Sequence, residues 1–93
     1  MDDFKKKLSK YREKINQIDQ KIVENLNERA KVVLAVKRLK EKENVPLYDA
    51  RREEELINNI VQYNKGPLYN DNIVQIFEAI LRNVQILEKD ENL

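Results

Sequence analysis

Six charged side chains stand where an amphipathic helix is expected to be apolar, and they limit the chemistry open to the chain. Ile22, Leu26, Arg29, Val33, Val36 and Lys40 follow one another in alternating steps of four and three. Arg29 and Lys40 therefore fall in line with core positions of a helix. Arg12 lies on the same stripe, four residues after Leu8 and three before Ile15. Arg52 and Glu53 precede Leu56 by four and three residues, and Glu88 follows Val84 by four and Leu81 by seven. An inward charge is costly unless it is paired or given a ligand. Taken singly, each has a plainer role. Arg29 or Lys40 can be a paired or snorkelling side chain, Arg52 and Glu53 a first-turn acid with its ionic neighbour, and Glu88 the solvated end of a fraying helix. Together, four cations against two acids leave a positive surplus, and guanidinium forks match carboxylates bidentately. The set calls for a small anion that supplies the missing counter-charge.

Composition removes most other chemistry. The 93 residues include no His and no Cys, which argues against a nitrogen or sulfur metal site and excludes disulfides and the Ser-His and Cys-His nucleophile pairs. No metal and no cofactor is expected, and catalysis must come from Arg, Lys, Asp, Glu, polar groups or backbone. The net charge is +1, from 18 basic and 17 acidic residues, and aromatic residues make up 6%. Such a chain has neither the basic field nor the stacking surface that nucleic acid requires. The charge is patterned even so: residues 1–14 and 28–43 each carry six basic and three acidic side chains, whereas residues 49–55 carry four acidic and two basic. Lys5 to Lys7, Arg38, Lys42, Glu54 and Glu55 read as solvated surface. The longest wholly apolar run, Val32 to Val36, is far short of the roughly 20 residues of a membrane span. The opening Met1-Asp2-Asp3-Phe4 lacks the apolar stretch of a signal peptide. These features predict a soluble, cytoplasmic protein that engages neither nucleic acid nor membrane.

Three helices must position the charged groups. No Gly or Pro occurs before Pro46, and Leu8, Tyr11, Ile15, Ile18, Ile22, Leu26, Val33 and Val36 recur at steps dominated by three and four, predicting one continuous helix over about 5–42. From Leu8 to Lys42 it would be on the order of 50 Å long, whereas a compact globule of this size is roughly 30 to 35 Å across. The apolar stripe then outruns a monomer, and a second copy is the simplest cover for it. Asn44 and Pro46 end this helix. Asp49 is the expected N-cap of a second helix over about 50–64, with Leu56, Ile57, Ile60, Val61 and Tyr63 near one face and Gly66-Pro67 as its stop. Asn70 or Asp71 would cap a third over about 71–89, marked by Ile73, Val74, Ile76, Phe77, Ile80, Leu81, Val84 and Leu87. Tyr11 and Phe77 read as core. The expected fold is all-α, a single domain over 1–93 whose three helices form an intertwined homodimeric bundle.

The string Tyr11-Arg12-Glu13-Lys14-Ile15, then Ile18-Asp19, Leu26-Asn27-Glu28-Arg29, Val36-Lys37-Arg38 with Lys40, Val45-Pro46-Leu47-Tyr48-Asp49 and Arg51-Arg52-Glu53 resembles the all-helical chorismate mutases of the AroQ class. The match covers nearly the whole chain. Asn64-Lys65-Gly66-Pro67 and Ile76-Phe77 further resemble the mutase domains fused to DAHP synthase, the first enzyme of the shikimate pathway. The resemblance implies an isomerase of aromatic amino acid biosynthesis that turns chorismate into prephenate by an intramolecular Claisen rearrangement. That reaction needs no nucleophile, metal or proton relay. It needs a dicarboxylate held in a chairlike fold and a cation where negative charge gathers on the ether oxygen.

Carried over by position, the resemblance implies that Arg29 clamps one carboxylate and Arg12 the other, while Lys40 reaches a carboxylate and the ether oxygen. Glu53, helped by the backbone at Asp49, would accept the ring hydroxyl, with Arg52 in support and Val33, Val36, Leu56 and Leu81 as walls. Arg12 and Arg29 are 17 residues apart, about 25 Å along a helix, too far to hold one small ligand from one chain. Arg12 must then come from the partner of an antiparallel homodimer. Arg29 and Lys40, about 16 Å apart by the same rise, can converge. Val84 stands where well-known relatives have a small polar residue, so a hydroxyl contact to a carboxylate is missing.

Two other readings predict different behaviour. An isochorismate-pyruvate lyase would use a similar cationic pocket on an analogous substrate, and a non-catalytic helical dimer would bind prephenate or chorismate without turnover. Glu88 occupies a position where many relatives carry Gln and some carry Glu. Gln can donate a hydrogen bond to the ether oxygen at any pH, but Glu donates only when protonated, and its carboxylate repels the developing charge. Turnover is therefore expected to fall as pH rises through the Glu88 titration, and Glu88→Gln to flatten the profile of kcat/KM against pH. Identical profiles for the two proteins would contradict the role.

Overall fold

A computed structural model describes residues 2–90 and contains three helices, α1 (Asp2–Lys42), α2 (Ala50–Tyr63) and α3 (Asn70–Lys89). No strand occurs among the described residues. α1 is 41 residues long and begins a few residues earlier than the apolar periodicity indicates. Asp2 and Asp3 in its first turn complement the positive end of the helix dipole, and Lys7 pairs with Asp3 at 3.3 Å.

The end of α1 is built by Asn44. Its φ of 55° puts it in the left-handed region, which Asn tolerates better than most residues. Asn44 N–H donates to the carbonyl of Glu41 at 3.2 Å, and Val45 N–H to that of Lys40 at 2.9 Å. This double closure satisfies carbonyls that the last turn would otherwise leave open. α2 then starts at Asp49, whose Oδ1 accepts from Arg52 N–H at 3.1 Å.

Asn64 organises the turn from α2 to α3. As the C-cap of α2, its backbone N–H reaches the carbonyls of Ile60 and Val61. Its side chain donates to the Leu68 carbonyl at 2.8 Å and to Asn70 Oδ1 at 2.9 Å, and accepts from Gly66 N–H at 3.1 Å. Gly66, at φ +80°, adopts a backbone conformation that glycine alone takes without strain. Neither Asn70 nor Asp71 is the cap of α3. That place falls to Tyr69, because the Asn70 side chain is turned to Asn64. The backbone N–H of Tyr69 is met by Asn72 Oδ1 at 3.1 Å.

Two compact units divide between Val32 and Val33. The first is a stretch of α1 alone, and a lone helix cannot bury its own stripe. Tyr11, expected in a core, is 68% exposed, and Ile15, Ile18 and Ile22 are each about half exposed. In the second unit α2 packs on α3, and Leu56, Ile57, Ile60 and Val61 of α2 and Ile73, Val74, Phe77, Ile80, Leu81, Val84 and Leu87 of α3 are all half-buried. No described residue is fully buried.

Because one side chain holds the α2–α3 turn, Asn64→Ala is expected to lower stability by about 1 to 2 kcal/mol, a loss readable from urea unfolding at constant m-value.

Candidate active site

Acids of α1 and α2 pair along their own helices. Among the described residues, Lys7 pairs with Asp3, Lys31 with Glu28, Lys37 with Glu41 and Arg51 with Glu55. All are three or four residues apart on one helix and stabilise by tenths of a kcal/mol at most. None involves Arg12, Arg29, Lys40, Arg52, Glu53 or Glu88. Among the described residues, the six charges singled out by spacing have no ionic partner within the chain.

In the first unit, Arg12 is exposed and lies in a shallow hollow with Phe4, Leu8 and Asn16. Its inward position by periodicity is not an inward position in fact, since nothing in that unit covers the face. Arg29 differs. It is half-buried, and its Nη1 is buried without a hydrogen bond. A guanidinium nitrogen kept from solvent with no acceptor loses hydration and recovers nothing.

The second unit brings together part of the remaining set. Lys40, near the end of α1, is half-buried and its Nζ donates to the Leu47 carbonyl at 3.2 Å. With Val45 N–H bound to the carbonyl of the same residue, Lys40 holds the linker to α2 at two points. A carbonyl is a dipole and no counter-ion, so this contact supplies the ammonium with no opposite charge. Asp49 sets the start of α2 through its side chain, and its carbonyl accepts from Glu53 N–H at 3.2 Å. Glu53 is half-buried, and its Oε1 accepts from Gln85 Nε2 on α3 at 3.2 Å. Arg52, expected inward, is exposed: its backbone serves the cap and its side chain leaves the first turn toward solvent. Leu56, Leu81, Val84 and Val33 are half-buried, whereas Val36 is 42% exposed. Glu88 lies within α3, one residue before its end, and is half-buried.

Gln85 is the polar residue that spacing missed. It sits four after Leu81 and three before Glu88, a stripe as regular as the one through Val84, and an amide in register with a wall residue and an inward acid is the available signal. A second hollow, between α2 and α3, is lined by Ile60, Tyr63, Ile73 and Phe77 and includes none of the six charges.

Residues 11–89 match the family described as chorismate mutase type II. The chain belongs to that family. Over 86 residues it is 34% identical to the bifunctional chorismate mutase/prephenate dehydratase of Aquifex aeolicus, a match that covers 88% of this chain and 24% of that protein. The chain thus spans about a quarter of the length of its bifunctional relatives. It is 30% identical over 84 residues to the chorismate mutase of Methanocaldococcus jannaschii, covering 89% of this chain and 85% of that one. A solved chorismate mutase from Thermus thermophilus superposes with a TM-score of 0.87 at 27% identity, over 91% of this chain and 97% of the other. The all-α class read from this mutase-family sequence therefore stands. Among the described residues no helix is long and apolar enough to cross a membrane.

Unpaired cations predict an anion that stabilises. A cyclic dicarboxylate at about 100 times its dissociation constant should add about 2.7 kcal/mol to unfolding, read as a higher thermal midpoint than in chloride of equal ionic strength. Arg29→Ala should lose this gain.

Proposed function

We propose that this chain rearranges chorismate to prephenate, and that it does so as a homodimer with two shared sites. The observation that carries the reading is the state of Arg29 and Lys40: both are half-buried, and neither has a carboxylate partner among the described residues. A dianionic substrate supplies what they lack.

The reaction moves electrons within one molecule. The ether carbon–oxygen bond breaks as a carbon–carbon bond forms between the enolpyruvyl methylene and the ring, and no group enters or leaves. Arg29 and the partner subunit's Arg12 would each hold one carboxylate, fixing the side chain over the ring and lowering the entropic part of the barrier. Lys40 would place its ammonium at the ether oxygen. That contact strengthens as the bond breaks, so it favours the transition state over the bound substrate. Glu53 and the backbone at Asp49 would take the ring hydroxyl, with Arg52 nearby, while Val33, Val36, Leu56, Leu81 and Val84 exclude water. Glu88, when protonated, would donate to the ether oxygen.

The open stripe of α1 supports the dimer. Tyr11, Ile15, Ile18, Ile22 and Leu26 are each 40 to 68% exposed. If each copy buries about half of what these side chains can yield, the pair gains roughly 10 kcal/mol, within the ~4–15 kcal/mol that association costs. A tight dimer then needs more than the stripe, which intertwining of the other helices would supply. The chemistry belongs to aromatic amino acid synthesis, and we place it in the cytoplasm.

Arg29→Ala is expected to cut turnover of chorismate by at least about 100-fold while circular dichroism and sedimentation stay unchanged. Arg12→Ala should do the same. Mixing the two variants should restore up to about a quarter of the sites, because each heterodimer rebuilds one intact site from two copies. No recovery on mixing would refute the shared site, and unchanged turnover in Arg29→Ala the assignment itself. Pyruvate release from isochorismate in place of prephenate would point to the lyase.

A further inference from the structure

We infer that Gln85 is a positioning residue: its side-chain amide holds the Glu53 carboxylate in the orientation that accepts a substrate hydroxyl. The inference rests on the proposed role of Glu53. Gln85 Nε2 donates to Glu53 Oε1 at 3.2 Å, in partly buried surroundings and across 32 residues of sequence. The side-chain bonds of Lys40, Asn64 and Asn83 stay within seven residues. This bond ties α3 to α2 at the position where the site meets both helices.

The choice of donor is chemically specific. A carboxylate set among surplus cations would turn toward one of them and neutralise it, removing a charge meant for the ligand. Arg52 is its neighbour in sequence, yet Glu53 forms no ion pair with it or with any other described residue. A neutral amide fixes one oxygen without cancelling the charge. The bond leaves Oε2 as a free acceptor, and the rotation about the last side-chain torsion, which is otherwise soft, is set. A lysine at 85 would hold Glu53 more firmly but quench it as an acceptor, and a glutamate would repel it.

The test is a double-mutant cycle on the full chain. Gln85→Leu, near in size but without the amide, should lower kcat/KM about tenfold, the worth of one hydrogen bond to a charged group, mainly through KM, because the hydroxyl contact is made in substrate and transition state alike. Gln85→Glu should lose more, with fold and dimer checked by circular dichroism and sedimentation. In a Glu53→Ala background, Gln85→Leu should change nothing further. An equal loss in both backgrounds, or an unchanged KM in Gln85→Leu, would overturn the inference. The side-chain amide of Gln85, followed by NMR in the otherwise wild-type chain, should shift on Glu53→Ala; an unmoved resonance would also overturn it. If the wild-type chain turns over no chorismate while that resonance moves, the proposed reaction fails and the tether remains.

Discussion

Everything in this molecule turns on positive charge placed in an apolar stripe without acids to meet it. The chain is almost neutral, with 18 basic and 17 acidic residues, so counter-charge is plentiful. It is simply elsewhere. Asp3, Glu28, Glu41 and Glu55 each pair with a residue three or four positions away on their own helix. Local pairs of this kind form wherever a helix forms and contribute little to its stability. The charges that spacing directs inward are left over, and Arg29 carries a buried nitrogen with no acceptor. A protein that tolerates this gives up folding stability at one place, and the proposed anionic substrate would return it.

Local and distant interactions divide the work. The second unit is specified by bonds between near neighbours in sequence: the Asn44 closure, the Asp49 cap and the Asn64 turn. These fix where α1 ends and where α2 and α3 begin, and they place Lys40 and Glu53 with them. The first unit has no such closure. Its apolar residues recur at helical steps, yet Tyr11, Ile15, Ile18, Ile22 and Leu26 stay exposed, because a helix stripe becomes a core only against another surface. The places of Lys40 and Glu53 along the helices are therefore set locally, the Glu53 side chain is held by the longer-range bond from Gln85, and the covering of the stripe is proposed to come from a second chain.

What could be read from sequence follows the same division. Helix existence was legible because apolar residues recur at helical steps and because Asn44, Pro46, Asp49 and Gly66 interrupt them with residues suited to each interruption. The cap of α3 was not, since Asn70 has the right chemistry for it and loses the role only because Asn64, six residues earlier, takes its side chain. Depth was not legible either. Periodicity states which face a residue shares, and Arg12, Tyr11 and Arg52 share faces with apolar residues while lying open to solvent. Gln85 escaped for a third reason. Steps of four and three from Leu81 to Glu88 can pass through 84 or 85, and the structure half-buries both, with only Gln85 making the hydrogen bond to Glu53.

Charge balance in the proposed site gives the cations distinct parts. Arg52 is exposed, so Arg29, Lys40 and the partner subunit's Arg12 contribute three positive charges. Two guanidinium groups match the two carboxylates of the substrate. The Lys40 ammonium is the third charge. The third charge has no ground-state partner and acquires one only as the carbon–oxygen bond breaks, which is the condition for accelerating the step and not merely tightening binding. Glu53 is kept from pairing with that charge, because Gln85 Nε2 donates to its Oε1, and a neutral amide fixes a carboxylate oxygen without acting as its counter-ion. In the proposed site one acid is thereby held as an acceptor, and the ammonium is left for the reacting bond.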